Sequence, residues 1–248
     1  MTKKPRRKRL DLLLVERGLA DSARKAAAFI LAGEVLVDDQ RAASSGQLFS
    51  ENSRIDLKSR SLKYSSRGGF KLEGALEDFS FNPSGRVCLD IGSSTGGFTD
   101  CLLQNGAARV YAADVNIDQL DWKLQQDPRV IRIKKNAREL SQRLIPEQID
   151  LVVADVSFIS VTKIIRPAFA LAKPGADFLI LVKPQFELGR KEVGPGGLVS
   201  DQRLHQKAVL AVRASAESLG LHCLGTRASR LTGVEGNQEY FLHARKTP

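Results

Sequence analysis

Two residues stand out for the chemistry they could do together. Asp155 follows the uncharged run Leu151 to Ala154, and Lys183 follows the run Phe178 to Val182. Runs of this kind read as buried central strands, so both side chains project from strand ends into one ligand crevice. A lysine beside a carboxylate and a second lysine is a candidate proton acceptor. A neighbouring cation and loss of water lower its pKa, whereas nearby carboxylates raise it. Lys71 and Glu239, the latter at the start of the last strand, are further ionisable candidates. Either one alone also reads as an ordinary solvated charge.

A second constellation lies upstream. Val87 to Ile91 reads as a buried strand, Gly92-Ser93-Ser94-Thr95-Gly96-Gly97 as a glycine-rich turn, and a helix starts at Phe98. Such a turn puts backbone N–H groups at the carboxyl edge of a sheet. Asp114 ends the next strand, 22 residues after Gly92, where a carboxylate can accept from two ribose hydroxyls. These residues imply an adenosine-containing cofactor. S-adenosylmethionine, a nicotinamide or flavin dinucleotide, and a bare packing turn all remain open. Ser94 occupies the place of the glycine that lets a backbone approach a pyrophosphate, which counts against a dinucleotide. Asp90 suits a cationic methionine group better than a phosphate.

The elements that must position these residues follow from periodicity. Strands at 87–91, 110–113, 130–133, 149–154 and 178–182 alternate with helices from Phe98, at 117–125 and at 161–172. A long helix at 202–219 precedes two strands near 222–228 and 239–244. This is the pattern of an α/β, Rossmann-like doubly wound sheet. Residues 184–200 are rich in Gly and Pro and read as a mobile loop. Ahead of this domain, Leu10, Leu13, Leu14 and Val15 form a helical stripe closed by Gly18. Ser22 caps a second helix that ends at Gly33. Val35 to Val37 and Arg54 to Leu57 read as strands, with Asp38-Asp39 a tight turn and 38–53 loop-like. These make a small α+β module. The expected division is a basic tail at 1–7, the module at 8–63, a linker leading into the sheet domain at 64–83, and the sheet domain at 84–248.

Charge points to the partner. The net charge is +10 over 248 residues. Residues 1–63 hold 14 Lys/Arg against 8 Asp/Glu, peaking in Lys3 to Arg9. A phosphate backbone is the first expectation, a solubilising tail the alternative. Arg6, Arg7, Lys8, Arg9, Arg24, Lys25 and Arg67 are the candidate RNA contacts. Cys88, Cys101 and Cys223 are scattered and odd in number, so they read as free thiols of a reducing cytoplasm. No apolar run nears the ~20 residues of a membrane span, and no secretory signal is visible. His205, His222 and His243 have no metal-ligand spacing, and no metal is expected. There is neither a GxSxG nor a Walker A loop.

The first module resembles the S-four-like RNA-binding domain, through Arg9-Leu10-Asp11, Leu14, Gly18, Ser22, Ala26, Ile30 and Gly33 to Val37. The second resembles an FtsJ-like ribose methyltransferase, through Asp90 to Asp100. With Ser66 to Leu72, Ala154 to Ser160 and Val182 to Glu187, residues 8–245 are similar to the TlyA family. That resemblance implies an S-adenosylmethionine-dependent enzyme that methylates a cytidine 2′-hydroxyl in ribosomal RNA of the large subunit, in some members also the small. It implies a catalytic set of Lys71, Asp155, Lys183 and Glu239. It also implies cofactor contacts at Gly92, Ser93, Ser94, Thr95, Gly96, Gly97, Phe98, Asp114 and the Asn136-Ala137-Arg138 turn. The family's Ser-Arg at the second helix is Ser22-Ala23 here. The phosphate contact is therefore expected to move to Arg24 or Lys25, about 100° around the helix per residue.

Rival readings are a non-catalytic ribosome-assembly factor, a membrane-active haemolysin (a label some relatives carry) and a nicotinamide-dependent reductase. The intact loop and the four charged residues count against the first. No apolar segment supports the second.

Overall fold

The computed structural model describes residues 7–20, 22–57, 63–233 and 236–247. Two compact units divide between Lys63 and Tyr64.

In the first unit, β1 (Arg7–Arg9) leads directly into α1 (Leu10–Glu16), and α2 (Ala23–Leu31) follows. The C-terminal turn of α1 ends at Gly18, whose φ of 62° is easy only without a side chain. Ser22 caps α2, its hydroxyl accepting from Lys25 N at 3.2 Å. β2 (Val35–Val37) is the centre of a three-stranded antiparallel sheet, flanked by β3 (Gln40–Arg41) and, after β4 (Leu48–Ser50), by β5 (Ile55–Leu57). Asp38 and Asp39 both have positive φ, 50° and 64°, the two-residue turn that matches strand twist. Residues 38–53, expected to be loop, therefore hold two short strands, with β4 paired to β1. Leu10, Leu13, Leu14, Ala26, Ile30, Val35, Val37 and Leu57 form the core.

The second unit opens with a helix in the expected linker, α3 (Gly68–Asp78). Its Leu72, Ala75 and Leu76 are buried, and Gly69 lies so close to the Tyr64 ring that no side chain fits there. The remaining order is β6 (Val87–Ile91), α4 (Gly97–Gln104), β7 (Arg109–Asp114), α5 (Trp122–Gln126), β8 (Val130–Lys134), β9 (Ile149–Ala154), α6 (Thr162–Leu171), β10 (Ala172–Val182), α7 (Pro184–Glu187), α8 (Gln202–Ser218), β11 (Leu221–Ala228) and β12 (Tyr240–Lys246). The helix expected at 117–125 is split: a 3-10 turn at Ile117–Gln119, then α5, capped by Asp121. Residues 184–200 contain α7 and a 3-10 turn at Pro195–Gly197.

Seven strands form one sheet in the order β11-β12-β10-β9-β6-β7-β8, with β12 antiparallel to both neighbours and the rest of the ladders parallel. Both faces are covered. Ile91, Val152, Ile164, Phe178 and Ile180 belong to the core on one face, and Leu72, Phe98, Leu102, Leu151, Val153 and Phe241 to that on the other. This double burial is why the central strands are continuously apolar. Strand order reverses between β6 and β9. A crevice at the carboxyl ends of those two strands is what such a reversal creates.

Candidate active site

The two strands at the reversal meet at Gly92 and Asp155. Asp155 N donates to Ile91 O at 2.9 Å, and a side chain at Gly92 would strike the Asp155 carbonyl. Gly92 also has φ of 82°, so close approach and backbone conformation both require glycine there.

An inner compartment of about 290 Å³ is lined by Ser66, Arg67, Lys71, the 92–98 loop, Asp155, Lys183 and Thr232. Lys183, after β10, places Nζ 2.6 Å from Asp155 Oδ1 and donates to Ser157 Oγ at 3.0 Å. The Asp155 contact has ion-pair distance without hydrogen-bond alignment. Lys71, in the first turn of α3, donates to Glu239 Oε2 at 2.5 Å. The Glu239 side chain is 2% exposed and stands behind Lys71 rather than at the compartment wall. All four expected catalytic residues thus form two ion pairs, three of whose members face one compartment.

The glycine loop joins β6 to α4 as expected, but Asp90 lies beneath it. That carboxylate is fully buried and does not line the crevice. Thr99 Oγ1 donates to its Oδ2 at 2.6 Å, while Oδ1 has no partner. Burial pushes its pKa up to about 7. The Thr99 hydrogen bond opposes this, and the charges of Asp155 and Asp114 add to it. Ser93, 4% exposed, likewise has a hydroxyl with no partner.

An outer compartment of about 720 Å³ shares Gly92, Ser94 and Asp155 with the inner one. Asp114 stands in its wall, its oxygens accepting from Ser94 N at 3.0 Å and Asn116 N at 2.8 Å. The Asn136-Ala137-Arg138 turn is opposite in sequence but in the same lining, together with Val156, Phe158, Ile159 and Lys163.

The FtsJ-like methyltransferase model matches residues 64–246, and the S4 domain model matches residues 8–55. The 16S/23S rRNA (cytidine-2′-O)-methyltransferase TlyA of Mycobacterium tuberculosis is 48% identical over 97% of this chain and 90% of its own length. The chain belongs to the TlyA family. Hemolysin A of Brachyspira hyodysenteriae is 38% identical over 95% of this chain and 98% of its own. A solved Streptococcus thermophilus structure, described as that of a candidate hemolysin, superposes with a TM-score of 0.75 at 37% identity, covering 98% of this chain and 89% of the other. Among the described residues, no helix is long and apolar enough to cross a membrane.

The methyl donor of this TlyA-family chain is S-adenosylmethionine, and the residues fit it. Asp114, fixed by two backbone donors, is preset to accept from a ribose. The unpartnered Ser93 hydroxyl lines the inner compartment and is an unmet polar group suited to the charged methionine end.

The expected RNA contacts are not equivalent. Arg6 lies outside the described residues. Arg7 donates to Leu48 O at 3.0 Å. Lys8 lies between Glu16 and Glu51, 2.8 and 2.9 Å away. Arg9 is bidentate to Asp11, at 3.1 and 2.7 Å. Arg24 and Lys25 are exposed on the first turn of α2, and Arg67 is exposed at the inner compartment. The histidines are structural in two cases. His205 bridges Val199 O and Tyr240 Oη, and His243 meets Asp177 Oδ1 at 2.9 Å.

Sequence reasoning missed Ser157, Phe158, Ser66 and Thr232 in the linings. Ser157 and Phe158 directly follow Asp155, which was the available signal. Ser66 opens the Ser66 to Leu72 motif, whereas Thr232 gave no signal.

Proposed function

We propose that this chain transfers a methyl group to the ribose 2′-hydroxyl of a cytidine in ribosomal RNA. The observation that carries the reading is the Lys183 ammonium, held by Asp155 and Ser157 in the same compartment as Lys71 and the glycine loop. S-adenosylmethionine supplies a methyl group on a sulfonium, which needs only an aligned oxygen nucleophile.

Lys183 Nζ meets the 2′-oxygen, taking its proton as the amine or stabilising the alkoxide as the ammonium. Asp155 and Ser157 aim that nitrogen. Lys71 adds positive charge and orients the ribose, and Glu239 fixes Lys71. Alignment of the 2′-oxygen with the methyl group supplies much of the rate.

The nucleotide reaches the crevice by turning out of its helix. Phe158, 93% exposed, and Phe186, 5.4 Å from it ring to ring, offer that base an apolar edge. Arg7, Arg24 and Lys25 of the S4 unit, with Arg67, bind phosphates of folded RNA whose bases are hidden. Large-subunit RNA is the proposed substrate, with small-subunit RNA as a second, and the cytoplasm the place of action.

The test is transfer of label from radiolabelled S-adenosylmethionine to separate ribosomal subunits from cells lacking the modification. Label at a cytidine ribose, lost in Lys183→Ala, is expected. Label on a base, or full activity in Lys183→Ala, overturns the reading.

A further inference from the structure

The loop after Asp155 carries Ser157, which holds Lys183, and Phe158 at the crevice mouth. Left to itself, that loop has reason to move. Phe158 has φ of 65°, in the left-handed region that a bulky side chain avoids. Its ring is exposed, so burial does not hold it there.

The fastening comes from 26 residues further along. Glu187, at the end of α7, accepts from Val161 N at 2.9 Å with Oε1 and from Ser160 Oγ at 2.5 Å with Oε2. The Ser160 hydroxyl is itself 2.7 Å from Thr162 Oγ1. One carboxylate therefore closes the loop at its far end and caps α6. α7 begins immediately after Lys183, and Phe186 N donates back to Lys183 O at 2.9 Å. The segment from Lys183 to Glu187 is thus tied at one end to Asp155 and Ser157, and at the other to Ser160 and Val161. Burial raises the Glu187 pKa, and its two donors only partly offset that, so this is not a carboxylate placed for solubility.

We propose that Glu187 is a positioning residue: it clamps the 155–161 loop to the Lys183 turn, so that the Ser157 hydroxyl and the Phe158 ring stay in register with Lys183. The inference rests on the proposed methyl transfer. It assigns Glu187 no contact with substrate. A plain helix cap would contribute stability alone. A positioning clamp also sets the geometry of the reacting groups, where a misplacement of about 1 Å can cost on the order of 100-fold in rate.

The experiment compares wild type, Glu187→Ala, Glu187→Gln and Ser160→Ala by methyl transfer to ribosomal subunits and by hydrogen exchange of the 156–161 amides. Glu187→Ala is expected to lower kcat about 10–100-fold and to speed exchange at Val161. Glu187→Gln keeps an acceptor for Val161 N–H and gives Ser160 Oγ a donor, so it should restore kcat to within about threefold. Ser160→Ala should lie between, and combining it with Glu187→Ala should lower kcat no further than Glu187→Ala alone. A Glu187→Ala protein with normal kcat and only a lower Tm is a cap, and the clamp is wrong. It is equally wrong if Gln is as slow as Ala. If wild type transfers no methyl group, the proposed function fails, and the exchange data alone decide the clamp: unchanged exchange in Glu187→Ala overturns it.

Discussion

Lys71 and Glu239, 168 residues apart, are joined at 2.5 Å with Glu239 almost wholly buried. The room for that carboxylate comes from Gly233, where a Cβ would lie 2.7 Å from Glu239 Oε1. The pair ties the first helix of the catalytic unit to its last strand. Removing one partner strands the other away from water, at a cost of about 3–5 kcal/mol. Lys71→Ala should therefore show both lost methyl transfer and a large drop in urea midpoint. The Lys71→Ala/Glu239→Gln double variant should regain much of the stability and none of the activity. Equal midpoints for the single and double variants would show that the pair is not coupled.

Gly92→Ala tests the strand reversal. The added methyl meets the Asp155 carbonyl, and φ of 82° is unfavourable for alanine. Loss of S-adenosylmethionine binding by calorimetry is expected, with a lower Tm. Gly85→Ala is the control for strain without contact: it shares positive φ, 73°, and has nothing within 4 Å of its Cβ. It should lower Tm and leave binding intact.

Asp90 gives a pH prediction. Its folded pKa, about 7, lies above the ordinary aspartate value of 3.8. The unfolded chain therefore loses this proton first as pH rises, and the folded state is progressively disfavoured between those values. Above pH 7 the buried carboxylate is charged and opposes folding. Asp90→Asn should raise the Tm of the cofactor-free protein at pH 8 and do little at pH 4. Because Asp90 does not line the crevice, S-adenosylmethionine affinity in Asp90→Asn should stay close to that of wild type at pH 8. An affinity that falls with pH in wild type and stays flat in Asp90→Asn would place Asp90 at the cofactor site instead.

The S4 unit separates cations by their pairing. Arg24→Ala should weaken RNA binding and lower the slope of log K against log salt by about one. Arg9→Ala acts on Asp11 as well, which the Arg9 hydrogen bond holds below the usual carboxylate range. That contribution exists above the unfolded carboxylate pKa and vanishes as pH falls through the folded one. Arg9→Ala should thus lower Tm at pH 7 more than at pH 3, whereas Arg24→Ala leaves Tm unchanged at both.

Much of the site is legible in sequence because burial forces it to be. A strand covered on both faces holds few charges until it emerges, so Asp114, Asp155 and Lys183, each after an apolar run, mark strand ends, with Asp90 inside β6 as an exception. α3 was not legible. Ser66 to Gly69 has the composition of a linker, and the helix exists because Gly69 slots against Tyr64 and Leu72 and Leu76 are buried. Asp90 was placed correctly in the chain but not in depth. Its partner Thr99 lies a turn into α4, and nothing local says the carboxylate faces inward. The same holds for Glu187, whose partners are 26 and 27 residues away.

β12 is the final strand in the chain but not the final strand in the sheet, lying between β10 and β11. It must therefore enter a gap between neighbours that were synthesised before it. Glu239 rides at its leading end, so Lys71 waits for its partner until the start of β12 has been made. A chain made as far as α8 holds Lys71, Asp155, Lys183 and the glycine loop without Glu239. The ion pair between Lys71 and Glu239 therefore forms only when β12 closes the sheet.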